Sequence, residues 1–66
     1  MEEKEARDIA ENFVRQHFSV MKVETPVLKG GVWHVEVMVS SNDGRSFHLE
    51  INARSGRIMG FSRGSP

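Results

Sequence analysis

The first part of the chain repeats its apolar residues with a helical period. Within residues 3–18, EKEARDIAENFVRQHF, one set recurs at spacings of three and four: Ala6, Ile9, Ala10, Phe13, Val14 and His17. This spacing gathers the set on one stripe of an α-helix. Glutamates crowd the first turn and Arg15 lies near the end, and both placements suit the helix dipole. We therefore predict an amphipathic helix over residues 3–18 whose apolar side packs on the core.

After this segment the apolar residues alternate with polar ones, which is typical of β-strands. We predict strands over residues 20–28, 32–40, 46–53 and 57–63, with a turn at Lys29-Gly30-Gly31. Pro26 makes the first an edge strand, because proline has no amide proton for an interior ladder. The predicted fold class is α+β, with one N-terminal helix packed on a four-stranded antiparallel meander sheet in the order 1-2-3-4. Residues 1–63 are expected to form a single domain and residues 64–66 a frayed tail.

The two central strands carry their apolar side chains at odd-numbered positions, over residues 33–39 and 47–53. For both sets to share one face, the numbers of each opposing pair must have an even sum. A three-residue loop over 42–44, with Gly44 left-handed in a bulge, meets this condition, and a loop over 54–56 ending in Gly56 serves the next hairpin. The predicted partners are Val39 with Phe47, Val37 with Leu49, Val35 with Ile51, Ile51 with Met59, and Leu49 with Phe61.

The even-numbered positions of these strands carry the candidate chemistry. His-x-Glu occurs twice, at His34/Glu36 and at His48/Glu50, and the predicted register sets Glu36 opposite Glu50 with the histidines on the diagonals. Two imidazoles and two carboxylates are suitable ligands for zinc or another divalent ion. Diagonal neighbours are roughly 7–8 Å apart, however, and an open sheet face lacks the concave, shielded setting of a catalytic site. We therefore interpret this face as the solvated side of the sheet, with no catalytic residue, metal or cofactor.

The same face is also expected to hold apolar side chains. Val20, Met38 and Ile58 should point outward, and Gly60, across from Glu50, should leave a shallow dent. A face of this mixed character suits docking against a protein partner or a second copy of the chain, although scattered apolar groups are also ordinary on surfaces. The predicted interaction surface comprises Val20, Met38, His48, Ile58 and Gly60.

Composition narrows the function classes. The 66 residues include no cysteine, so no disulfide and no thiolate chemistry is available. Nine basic residues balance nine acidic ones, which argues against nucleic-acid binding. No apolar run approaches the ~20 residues that span a bilayer. The acidic start, MEEKEARD, is unlike a signal peptide, so we expect a cytoplasmic location for the chain as written and an extracytoplasmic one if it was cut from a larger secreted protein.

The succession of these features resembles the PepSY domain. In that family a W-x-V-x-V strand is followed by a (D/N)-G turn, another alternating strand, an A-x-x-G turn and a short last strand. The matching residues here are Trp33, Val35, Val37, Asp43, Gly44, Phe47, Leu49, Ile51 and the segment NARSGRI over 52–58, in which Asn52 stands where the family usually has aspartate. Cystatin-like proteins share the broader arrangement of one helix on a sheet. The resemblance implies a non-catalytic module of the kind found in metalloprotease propeptides, where an inhibitory role is proposed.

We therefore predict a non-catalytic protein-interaction or regulatory module that acts through the open sheet face or an edge strand. Two alternatives stay open. The first is a PepSY-type protease inhibitor or propeptide-like module. The second is a weak metal- or ligand-binding protein that uses His34, Glu36, His48 and Glu50.

Overall fold

A computed structural model of the chain describes residues 1–40 and 45–63. Within them the chain forms one helix and five antiparallel strands: α1 Glu3–Arg15, β1 Val20–Val23, β2 Val27–Lys29, β3 Val32–Val39, β4 Ser46–Asn52 and β5 Ile58–Arg63. The predicted α+β class, with one N-terminal helix on an antiparallel sheet, is confirmed. The predicted number of four strands is wrong. The predicted loop at 42–44, with Gly44, and the predicted tail at 64–66 lie outside the described residues.

Helix α1 presents a narrow stripe of small residues to the sheet. Ala6, Ala10 and Val14 are buried, at spacings of four positions. The helix ends at Arg15, three residues before the predicted end, and the amides of His17 and Phe18 both bond to the carbonyl of Val14. His17, predicted on the apolar stripe, is therefore exposed beyond the helix.

The single edge strand predicted over residues 20–28 is divided into β1 and β2. Both pair with β3, β1 near its end and β2 at its start. Pro26 lies in the gap, where it has no N–H to donate to a ladder. Because β4 already occupies one side of β3 along residues 32–38, β2 must lie on the same edge as β1. The sheet order is therefore β1-β3-β4-β5, with β2 continuing the β1 edge.

The central strands β3 and β4 hold the core between the sheet and α1. Their odd-numbered apolar residues are all buried on the helix side, as parity predicts. The predicted pairing is nevertheless wrong by two residues: Val37 lies opposite Phe47, Val35 opposite Leu49 and Trp33 opposite Ile51. An even sum fixes the face that a side chain takes, but it allows every register that differs by two.

Strand β5 follows a turn closed by Asn52. The Asn52 side-chain oxygen accepts hydrogen bonds from the amides of Arg54 (2.8 Å) and Ser55 (3.0 Å), and its carbonyl accepts one from Gly56 (2.8 Å). Gly56 has φ +77°, a conformation that disfavours a side chain. Beyond the turn, Leu49 pairs with Phe61, the partner predicted for it.

A bulge at the start of β5 changes which face its first residue takes. Ile51 pairs with Ile58, not with the predicted Met59, and the register shifts between Glu50 and Ile51. Ile58 therefore packs against the core. Val20 does the same on β1, where a register irregularity follows it. The prediction that Val20 and Ile58 point outward on the open face is wrong, because an inserted residue reverses the alternation of a strand.

Candidate functional site

The face of the sheet away from α1 brings four chemically active side chains together: His34, Glu36, His48 and Glu50, here called the His–Glu cluster. In the observed register His34 lies opposite Glu50 and Glu36 opposite His48. The predicted pairing of Glu36 with Glu50 is wrong, and each carboxylate has an imidazole as its neighbour instead. All four side chains are partly buried.

The backbone hydrogen bonds explain why these side chains approach closely. The amide of Val39 donates to the carbonyl of Arg45, which immediately precedes β4, whereas the carbonyl of Glu36 accepts from Glu24 on the β1 side. Odd-numbered pairs of β3 and β4 are therefore hydrogen-bonded and even-numbered pairs are not. In an antiparallel sheet, the side chains of non-hydrogen-bonded pairs are the closer ones. The His–Glu cluster occupies two such pairs in succession.

Hydrogen bonds link three members of the cluster in a row. His48 Nδ1 lies 2.6 Å from Glu36 Oε1, and His48 Nε2 lies 3.2 Å from His34 Nδ1. A carboxylate can only accept, so a neutral His48 holds its proton on Nδ1 and leaves a lone pair on Nε2. His34 then donates from Nδ1 to that lone pair. Glu36 thereby sets the tautomers of both histidines.

Glu50 completes the cluster from the other side. Its Oε2 is 3.8 Å from His34 Nδ1 and 3.8 Å from His48 Nε2. Its Oε1 lies over Gly60 of β5, where an added Cβ would be 3.1 Å away. Glycine at this position therefore gives Glu50 the space to reach back toward the histidines. The predicted dent across from Glu50 is occupied by the Glu50 carboxylate.

The cluster does not form a nucleophilic triad. Ser62 of β5 lies opposite His48, so a glutamate, a histidine and a serine are aligned across three strands. Nucleophilic catalysis needs the free imidazole nitrogen within hydrogen-bond reach of the hydroxyl. In the described part of the chain, His48 Nε2 bonds to His34 and Ser62 makes no hydrogen bond to it. The row consequently lacks an activated serine.

A second surface lies along β5, which is an edge strand in the predicted order as well; its exposed apolar side chains were not predicted. Helix α1 packs over β1, β3 and β4. Phe61 remains 44% exposed, Met59 57% and Phe13 of the helix 36%. The Phe61 ring stacks on Phe47 with centroids 5.0 Å apart and meets Phe13 edge-on at 5.1 Å. We call Phe13, Met59 and Phe61 the β5 strip.

The width of a helix could have indicated this surface. An α-helix is about 10–12 Å across with its side chains, and strands are about 4.8 Å apart. One helix therefore covers two or three strands, so a strand at one edge must leave apolar side chains uncovered. The sequence reasoning assigned Phe13 and Phe61 to the core without this count.

Comparison with known families gives a match over most of the chain. Residues 1–61 match the family model PepSY, described as "Peptidase propeptide and YPEB domain". The chain belongs to the PepSY family. The resemblance inferred from the strand and turn pattern is confirmed. No curated protein and no solved structure matches the chain significantly.

Membership of the PepSY family indicates what kind of function the two surfaces can serve. PepSY domains are propeptide or inhibitor-like modules, generally non-catalytic, that interact with proteases or other proteins, and they are typically extracytoplasmic. No helix in the described residues has the length and apolarity needed to cross a bilayer.

Asn52 stands where PepSY domains usually have aspartate, and it makes the same kind of turn. The side chain contributes its oxygen as an acceptor for two backbone amides, which an aspartate would do equally. Two shallow depressions adjoin this turn, and neither is lined by a member of the His–Glu cluster.

Proposed function

We propose that this PepSY domain is a non-catalytic module that binds an extended segment of a partner protein along β5. The observation that carries the proposal is the β5 strip: apolar side chains of an edge strand and of the adjoining helix stay exposed. The sequence predicted binding through either the open sheet face or an edge strand. The proposal chooses the edge strand.

An edge strand offers backbone groups for pairing. Strand β5 pairs with β4 on one side, and no described strand lies on the other. An incoming strand gains main-chain hydrogen bonds from such an edge, and its alternate side chains gain from neighbouring pockets or apolar surface. The β5 strip would supply that apolar contact, because Phe61 and Phe13 adjoin the strand on the helix side.

The charges at the ends of β5 favour an acidic partner. Arg57 and Arg63 bracket the strand, and neither forms an ion pair among the described residues. A second copy of the chain fits poorly. Antiparallel pairing of the whole strand with itself would set Arg63 of each copy beside Arg57 of the other, and like charges facing each other across strands are destabilising. A segment with apolar centre and acidic flanks complements both features.

The family suggests the class of partner. PepSY modules act with proteases or other proteins, so we propose that the partner is a protease or another protein that the domain restrains. We further propose an extracytoplasmic location, supported by the usual place of PepSY domains. This departs from the cytoplasmic location expected from the acidic start of the chain.

Synthetic peptides test the edge directly. A peptide with alternating valine and threonine at its centre and glutamates at both ends should shift the amide resonances of residues 58–63, and a lysine-flanked version should shift them far less. Phe61→Ser should weaken binding at least tenfold. Leu28→Ser is the matched control, because Leu28 is an exposed apolar residue (53%) on the opposite edge of the sheet.

Two results would contradict the proposal. One is the absence of any β5 shift at millimolar glutamate-flanked peptide. The other is an equal loss of binding in Phe61→Ser and Leu28→Ser. A titration of secreted metalloproteases with the wild-type domain then assesses the partner class, with inhibition expected to depend on Phe61 and not on Leu28.

A further inference from the structure

We propose that the open face of the sheet holds a divalent metal site, with zinc as the ion and with His34 Nδ1, His48 Nε2 and Glu50 Oε2 as its protein ligands. The site lies on the face of the sheet away from α1 and does not depend on the proposed partner binding.

The distances among the three donor atoms fit a zinc ion. They are 3.2 Å between the two nitrogens and 3.8 Å from each nitrogen to the carboxylate oxygen. A point equidistant from all three lies about 2.1 Å from each, within the range of zinc–nitrogen and zinc–oxygen bonds. Two imidazoles and one carboxylate form a ligand set that zinc takes with a fourth position open. The ion would need little rearrangement of the side chains.

Glu36 prepares one of the ligands. Its carboxylate accepts the Nδ1 proton of His48 at 2.6 Å, which orients the ring and directs the Nε2 lone pair at the site. Histidine ligands of zinc commonly donate their other N–H to a carboxylate in this way. His34 changes tautomer on binding, because its Nδ1 proton must move to Nε2 to free the lone pair. Glu36 is thus a positioning residue, not a ligand.

The charge balance of the face favours a cation. Glu36 and Glu50 lie on the same face as diagonal neighbours, and among the described residues neither forms an ion pair with a lysine or arginine. Lys22, on the neighbouring strand, pairs with Glu24 instead, at 3.3 Å. With neutral imidazoles the cluster therefore carries two uncompensated negative charges, which a divalent ion would neutralise.

The surroundings leave one side of the site open. The side chains of His34 and His48 are each 29% exposed and that of Glu50 is 43% exposed, so water can provide the fourth ligand. Gly60 keeps the space that the Glu50 carboxylate occupies. The expected site is thus a three-ligand site on a rigid sheet, shielded on the protein side only.

Calorimetric titration of the metal-free protein with zinc chloride tests the site, with the histidine ring resonances followed by NMR. We expect one ion per chain and shifts at His34 and His48. His34→Ala, His48→Ala and Glu50→Gln should each weaken binding at least tenfold, and Glu36→Gln about tenfold or more. His17→Ala is the matched control, since His17 is the remaining histidine and is exposed beyond the helix.

Gly60→Ala gives a second test that leaves every ligand in place. The added Cβ would lie 3.1 Å from Glu50 Oε1 and push the carboxylate by a few tenths of an ångström, so zinc affinity should fall while circular dichroism stays that of the wild type. The proposal is overturned by an absence of saturable binding at millimolar zinc, by zinc binding that survives Glu50→Gln in a folded protein, or by a loss in His17→Ala as large as in His34→Ala. These results do not bear on peptide binding at β5, which has its own readout.

Discussion

The two faces of the sheet are built from neighbouring residues of the same two strands, yet they differ in burial and in polarity. On the helix face, Val35, Val37, Leu49 and Ile51 are fully buried. On the open face, one position along, the side chains are partly exposed and mostly polar, and hydrogen bonds join His34, Glu36 and His48 to one another. The helix face therefore provides the stability of this small domain, and the open face is free to carry chemistry.

The largest expected effect compares two consecutive residues of β4. Leu49→Ala removes a fully buried side chain from the centre of the core and should cost roughly 2–5 kcal/mol. Glu50→Gln, on the open face, should change the free energy of unfolding by no more than about 0.5 kcal/mol in metal-free buffer. Urea unfolding followed by the fluorescence of Trp33, the single tryptophan, measures both.

The size of the domain makes the Leu49 variant decisive. A single core of this size rarely contributes more than about 3–5 kcal/mol in net stability. Leu49→Ala should thus leave a substantial unfolded population at room temperature. A loss below about 1 kcal/mol would mean that the helix face is less tightly packed than its burial indicates.

Sequence reasoning predicted the two faces because their cause is local. Alternation along a strand assigns every side chain to a side without knowledge of the partner strand. Parity therefore placed Leu49 and Ile51 under the helix and His48 and Glu50 outside, as the structure has them. The same reasoning failed wherever an extra residue enters a strand, as at Val20 and Ile58, since a bulge is decided by the pairing and not by the pattern.

Parity alone could not predict the contacts within the candidate site. The four members of the His–Glu cluster follow from their types and positions, but their distances depend on the register. An offset of two residues leaves every face unchanged and converts diagonal neighbours into direct partners. His48 therefore meets Glu36 at 2.6 Å, where the sequence predicted a diagonal contact. The two registers differ only in which residues of β3 and β4 pair, and a single sequence does not reveal that pairing.

A smaller effect is expected at a polar residue that serves the fold. Asn52 lies at the end of β4 on the open side, opposite Val32, and accepts two backbone amides in the turn before β5. Asn52→Ala should cost about 1 kcal/mol, the usual net value of a hydrogen bond lost near the surface. Thermal unfolding measures the change.

Asn52→Asp is the control for that loss. Aspartate keeps the acceptor and should remain within about 0.5 kcal/mol of the wild type. Equal destabilisation by alanine and aspartate would show that the amide nitrogen of Asn52, and not its oxygen, is what the turn requires.

The smallest change in stability is expected from cysteine pairs that test the register itself. The natural chain has no cysteine, so an introduced pair reports without interference. Met38 lies directly opposite Ser46, in a non-hydrogen-bonded pair whose Cα atoms are about 4.5 Å apart. The register predicted from the sequence would instead set Met38 opposite His48.

Met38→Cys with Ser46→Cys should therefore form a disulfide under mild oxidation, and Met38→Cys with His48→Cys should not, because Cα atoms more than about 7 Å apart cannot be bridged without moving the backbone. Mass spectrometry of the oxidised proteins distinguishes them. The opposite result would place Glu36 across from Glu50 and separate the two imidazoles. The geometry on which the zinc site depends would then be absent, whereas the helix face would be unchanged.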